Sequence, residues 1–304
     1  TPIERIAIAL ATSSLLLGWT GATEPLPAPT GATPERCAAD DFFRGMMPDK
    51  AVTAVGAGSC ATASCHGGPA AGNRAVQSFA ATLWTQLDPH SRAYETLHDP
   101  RSRRMAVLLG IGAAHRSQRC LACHSSQAEW DAGLPPEVLA DGVSCGSCHG
   151  DATRWLAIHH QPDWQHVAPE ARANLGYREL RTATQRVRTC IPCHVGDASR
   201  EVDHDMIAAG HPRLAFEFAA YERIWPRHWN PRQRTESAPD FAERSWAVGQ
   251  AETLAAVALL AEVRARRAAD KTGRWPEFAE FDCYACHRSL SPERVADAAT
   301  SPYA

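Results

Sequence analysis

The chain has 304 residues, a formal net charge of −3 and 44% hydrophobic residues. A near-neutral balance with no basic tract excludes nucleic acid as a partner held by a positive surface. Only two lysines occur, Lys50 and Lys271, so almost all the positive charge sits on arginine forks, which suit bidentate pairing with carboxylates.

The N-terminus reads Arg5, then an apolar stretch over 6–17, then Gly18-Trp19-Thr20-Gly21-Ala22. A charged start, a short apolar run and a small-residue exit predict a signal peptide over 1–22; the alternative is an N-terminal membrane anchor. Residues 23–59 follow as an extended leader with Pro25, Pro27, Pro29 and Pro34. Cys37 lies in it without a lipobox before it and reads as a free or intermolecularly paired thiol. Residues 60–304 are expected to form one domain.

Within that domain, Asp88-Pro89 opens a predicted helix over His90–Leu97, and Asp99-Pro100 ends it. Residues 118–150 are rich in cysteine and glycine. Gly210-His211-Pro212 breaks the chain ahead of an amphipathic segment over 214–224. The strongest helical pattern runs from Phe241 to Ala269, rich in alanine and leucine, with Arg264, Arg266 and Arg267 near its end and Gly273 as its stop. No stretch alternates as a strand would. The expected fold is mainly α with long irregular connections.

Two cysteines followed at once by a histidine recur along the domain. Four copies share one spacing: Cys120/Cys123/His124, Cys145/Cys148/His149, Cys190/Cys193/His194 and Cys283/Cys286/His287. A fifth, Cys60/Cys65/His66, has four residues between its cysteines instead of two; Ala61, Thr62, Ala63 and Ser64 are all small, and the extra pair can bulge out as a loop. C-x-x-C-H is the attachment site of c-type haem: both thiols form thioethers, and the histidine becomes the proximal iron ligand. Zinc sites pair two C-x-x-C units around four ligands, whereas here each unit carries its own histidine. Iron–sulfur clusters use cysteine runs without that histidine. The sequence therefore predicts five haems c, which would form much of the core. A disulfide or free thiols at Cys60 and Cys65 is the alternative for the stretched copy.

Each iron has a second side. Nine of the 14 histidines lie outside the motifs, against only four methionines, so bis-histidine ligation and low reduction potentials are expected. The distal candidates are His90, at the start of its capped segment; His204 and His211, around the Gly-Pro break; His159, favoured over its neighbour His160; and His115, five residues before Cys120. His228, between Arg227 and Trp229, falls behind these five. His98 and His166 read as structural.

With these residues in place the chain resembles the cytochrome c-554 family of multihaem c-type cytochromes. The resemblance rests on Trp84, His90–Leu97, Cys120–His124, Gly142–Gly150, Thr189–Gly196 and Asp205–Glu217. It implies a periplasmic electron carrier with haems in closely packed pairs. It also implies distal roles for His90, for a histidine after Gly150, and for the histidine of Gly-His-Pro. The family's namesake is tetrahaem and takes electrons from hydroxylamine oxidoreductase. This chain departs from it by its fifth motif and by the stretched first one.

Electron transfer without substrate chemistry is the leading expectation. The partners would be redox proteins or a membrane quinol-oxidising or electron-accepting complex. Two alternatives stand beside it. One is a haem enzyme with an open iron position acting on a small nitrogen or sulfur species; no C-x-x-C-Lys site is present to supply a lysine-ligated haem. The other is a subunit of a larger electron-conducting wire or membrane complex, which a retained anchor would favour.

Overall fold

The structure, a computed structural model, describes residues 55–69, 75–126, 133–230 and 238–287. The predicted signal peptide or anchor, most of the leader, and Cys37 lie outside them. Among the described residues the chain is helical with long connections and has no strand, as the sequence predicts.

The longest element is the helix Phe241–Ala269, with the bounds the apolar pattern suggests. It packs on the helices Ala183–His194 and Phe218–Ile224. Phe218, only 1% exposed, lies so close that a Cβ on Gly249 would stand 2.8 Å from its own Cβ, so that turn of the long helix must lack a side chain. The helix stops four residues before Gly273. Asp270 caps it, and Lys271 takes the left-handed turn at φ 59°. By length and composition alone this helix could also cross a membrane. Here it lies against two other helices, and Arg264 pairs with Glu201 and Glu280.

The segment His90–Leu97 is not one helix. It forms two 3₁₀ turns, Pro89–Arg92 and Glu95–His98. Asp88 caps the first turn by accepting the His90 backbone N–H. Asp99-Pro100 both ends this segment and opens the next helix, Pro100–Leu109. The residue before a proline is pushed out of the helical region, while proline itself is well suited to a first helical position.

The standard motifs lie in short helices or at the ends of longer ones: Gln118–His124, Cys145–His149, Ala183–His194 and Cys283–Cys286. Cysteines three apart on a helix share one face, and that sets both thiols toward one side. In the stretched copy Cys60 ends the helix Ala57–Cys60, and the following four residues loop back. The His66 N–H reaches the Cys60 carbonyl at 3.1 Å, and the Gly67 N–H reaches that of Thr62 at 2.9 Å. A Cβ on Gly67 would fall 1.8 Å from the Ala61 carbonyl oxygen, so the loop closes only on glycine.

The side-chain core is divided among small clusters. One gathers Trp155, Ile158, Trp164 and Val167; a second Leu97, Ala106, Cys120 and Leu121; a third Val187, Ile191 and Phe218. Cys120 belongs to the second cluster, and Cys190 packs against the third.

Candidate haem-binding site

Each of the five motif histidines faces one histidine from outside the motifs. His66 and His159 have ring centroids 6.1 Å apart, with 21° between their planes. His124 and His211 stand 6.3 Å apart at 90°. His149 and His228 stand 6.2 Å apart at 72°. His194 and His90 stand 6.0 Å apart at 89°. His287 and His204 stand 6.3 Å apart at 15°. No outside histidine serves two pairs.

The outer ring nitrogens are anchored. The Nδ1 atoms of His66, His124, His159 and His211 lie 2.6–2.9 Å from the backbone carbonyl oxygens of Gln77, Ala93, Leu156 and Pro212. His90 sets Nδ1 2.8 Å from the carboxylate of Asp88. An Nδ1–H that donates outward fixes the tautomer and leaves Nε2 as the lone-pair nitrogen.

Burial lowers the basicity of His159 and His211, and it takes His194 down to about 4, with His90 beside it adding to the effect. Neutral rings are what metal ligation requires. His90 is different: burial pulls its pKa down, but the hydrogen bond and charge of Asp88 raise it further than that. Burial likewise pushes the Asp88 carboxyl up, and hydrogen bonds from His90 and Trp225 outweigh it, leaving it below the ordinary carboxylate range.

The cysteines link the motifs. The described cysteines form no disulfide. The thiols of Cys60 and Cys145 lie close enough to shift each other's pKa, as do those of Cys123 and Cys193, and Cys148 lies close enough to Cys190 to act on it electrostatically. The remaining motif joins through the helix His204–Ala209. His204, its first residue, faces His287; His211, two residues past its end, faces His124. Arg119 and Asp203 tie this helix to the motif at 120–124.

Four of the five distal candidates, His90, His159, His204 and His211, stand opposite motif histidines. His115 does not. It stacks on His98 at 4.4 Å, and the position opposite His149 belongs to His228. The signal that could have found His228 is its aromatic setting: Trp225 and Trp229 hold its ring at 6.0 and 5.3 Å. His160 turns away from the pair beside it, with its Nε2 2.9 Å from the Gln161 amide.

Residues 59–150 match the family model of cytochrome c554 and c-prime. Over that stretch the chain is similar to the cytochrome c554 and c-prime family, which supports a c-type cytochrome. The matched stretch contains the motifs ending at His66, His124 and His149 and the His90 turn; those ending at His194 and His287 lie beyond it. Neither the curated proteins nor the solved structures gave a match.

The family match implies haem c and electron transfer, and the residues of this chain fit that group. Two metal–imidazole bonds of about 2 Å, with each ring centre about 1.2 Å beyond its nitrogen, require centroids roughly 6.3 Å apart. All five pairs fall at 6.0–6.3 Å. Beside His194 a cavity of about 190 Å³ opens between Ile207, Leu214 and Phe216, with Arg213 at its wall. Among the described residues no group of three or more His, Cys, Asp or Glu side chains gathers as a bare metal ion would need.

Proposed function

We propose that this cytochrome is a periplasmic, pentahaem electron carrier in which every iron is held by two histidines. Bound haem c supplies one-electron redox centres of low potential when both axial ligands are imidazole. The polypeptide's part is to hold the rings, fix their tautomers and keep the centres close together. The observation that carries the reading is the set of five motif-to-outside histidine pairs, each with room for one iron and none sharing a ring.

The thiol contacts support a spatial order for the motifs: 60–66, 145–149, 190–194, 120–124 and 283–287. Trp225 adds a second bridge near the middle, with its ring 6.5 Å from His90 and 6.0 Å from His228. That order is the route we propose for electrons, with redox partners meeting the two ends. A pair for every motif histidine also supports carriage over catalysis, because ligand chemistry needs an open iron position.

Haem quantitation, intact-protein mass and low-temperature EPR of the oxidised holoprotein test the proposal together. Five covalent haems with only low-spin signals are expected. Four haems, or a high-spin fraction near one in five that responds to nitric oxide, would overturn it.

A further inference from the structure

Asp88 is 4% exposed, yet its carboxylate takes three hydrogen bonds. Oδ1 accepts the His90 backbone N–H at 3.0 Å and lies 2.8 Å from the His90 Nδ1. Oδ2 accepts the indole N–H of Trp225 at 2.8 Å. A helix cap needs only the first of these contacts. The other two build a dyad of a buried carboxylate and the His90 imidazole, whose ring centre stands 6.0 Å from that of His194.

We propose that Asp88 is a positioning and tuning residue. Acting through His90, its carboxylate holds the redox centre between His90 and His194 at a lower potential than a neutral partner would. This rests on the ligand role given above to His90.

Two effects act in the same direction. A carboxylate accepting the Nδ1–H draws the proton outward and makes Nε2 a stronger donor, which favours the more highly charged, oxidised metal. A negative charge close to the centre and shielded from water also stabilises that oxidised state directly. His66, His124, His159 and His211 have neutral backbone carbonyls in the corresponding place, which supply orientation without a full charge. Trp225 moderates the effect: its N–H draws on the same carboxylate and takes a share of the charge away from His90.

The site lies at a functional crossing. The His90 carbonyl accepts the Val143 N–H at 3.1 Å, and the Trp84 indole reaches the Val143 carbonyl at 3.2 Å. The turn bearing one centre's ligand is thereby tied to the strand of chain entering the motif Cys145–His149. In the proposed spatial order these two centres are neighbours, so lowering one sets the direction in which an electron settles between them.

The test is potentiometric titration of the holoprotein, followed optically and by EPR. Asp88→Asn should raise one of the five midpoints and leave every centre low-spin. Asp88→Glu, which keeps the charge, should restore most of the shift. Trp225→Phe should move the same midpoint down, because the carboxylate then acts on His90 alone. Shifts of opposite sign at one centre are not what loss of packing would give, and the Trp225 variant stands if the Asn variant folds poorly. Unchanged midpoints, or equal shifts for Asn and Glu, would overturn the inference. His90→Ala separates the two readings. A high-spin centre there with no effect of Asp88→Asn leaves the ligand assignment standing and removes the tuning role. A fully low-spin His90→Ala protein removes the ligand assignment itself.

Discussion

On the proposed ligation, replacing His228 by alanine opens one iron position while leaving four pairs intact. His149 would lose the ring at 6.2 Å. With five pairs, the high-spin signal should integrate to about one fifth of total haem. His115→Ala is the matched control: His115 is nearly as close to a motif in sequence as a residue can be, yet its ring is stacked on His98 at 4.4 Å. It should leave the spectrum wholly low-spin. The assay is low-temperature EPR of oxidised protein, double-integrated against haem measured as the pyridine haemochrome. A low-spin His228→Ala protein, or a high-spin fifth in His115→Ala, would refute the assignment of the ring opposite His149.

Ring geometry predicts two spectral classes among the low-spin centres. The pairs at 21° and 15° have near-parallel planes and should give rhombic signals, and the three at 72–90° should give strongly anisotropic ones; EPR integrals of 2:3 are expected. Glu222→Ala takes from the Arg186 guanidinium, 2% exposed, the carboxylate whose Oε1 stands 2.5 Å from it. Denaturant titration should show a loss of about 3–5 kcal/mol. Gly142→Ala sets a Cβ 2.7 Å from the His90 carbonyl at a backbone φ of +68°. It should destabilise by about 1–3 kcal/mol in the same assay and broaden the signal of the His90 centre.

The legible parts of this chain were those written locally. The helix Phe241–Ala269 shows in the sequence because its alanine- and leucine-rich run extends over 29 residues with no interruption by proline. The haem motifs show because attachment chemistry demands their spacing. His90 was visible through Asp88-Pro89, although the segment folds as two 3₁₀ turns, with Thr96 donating its hydroxyl hydrogen to the Ala93 carbonyl rather than continuing a helix. The pairing of rings was not written locally. His115 looked suitable because it precedes Cys120, but nearness along the chain is not nearness of ring faces. His228 lies 79 positions beyond His149, and only the tertiary fold, with Trp225 and Trp229 seating its ring, brings it there.

The pairs 66–159, 90–194, 124–211, 149–228 and 204–287 interleave along the chain, each opening before its predecessor closes. A cut anywhere between residues 150 and 158 separates four of them. On the proposed ligation the chain therefore has no seam in its middle at which it could be divided into autonomous halves. The same interleaving imposes a schedule on a chain emerging from its N-terminus. His66, His124 and His149 are all out before His159 arrives to close the first pair, so three attachment motifs are presented as open, one-sided sites. On the proposed ligation His159, His211 and His228 then close these three centres in turn, whereas His90 and His204 emerge ahead of the motifs they face.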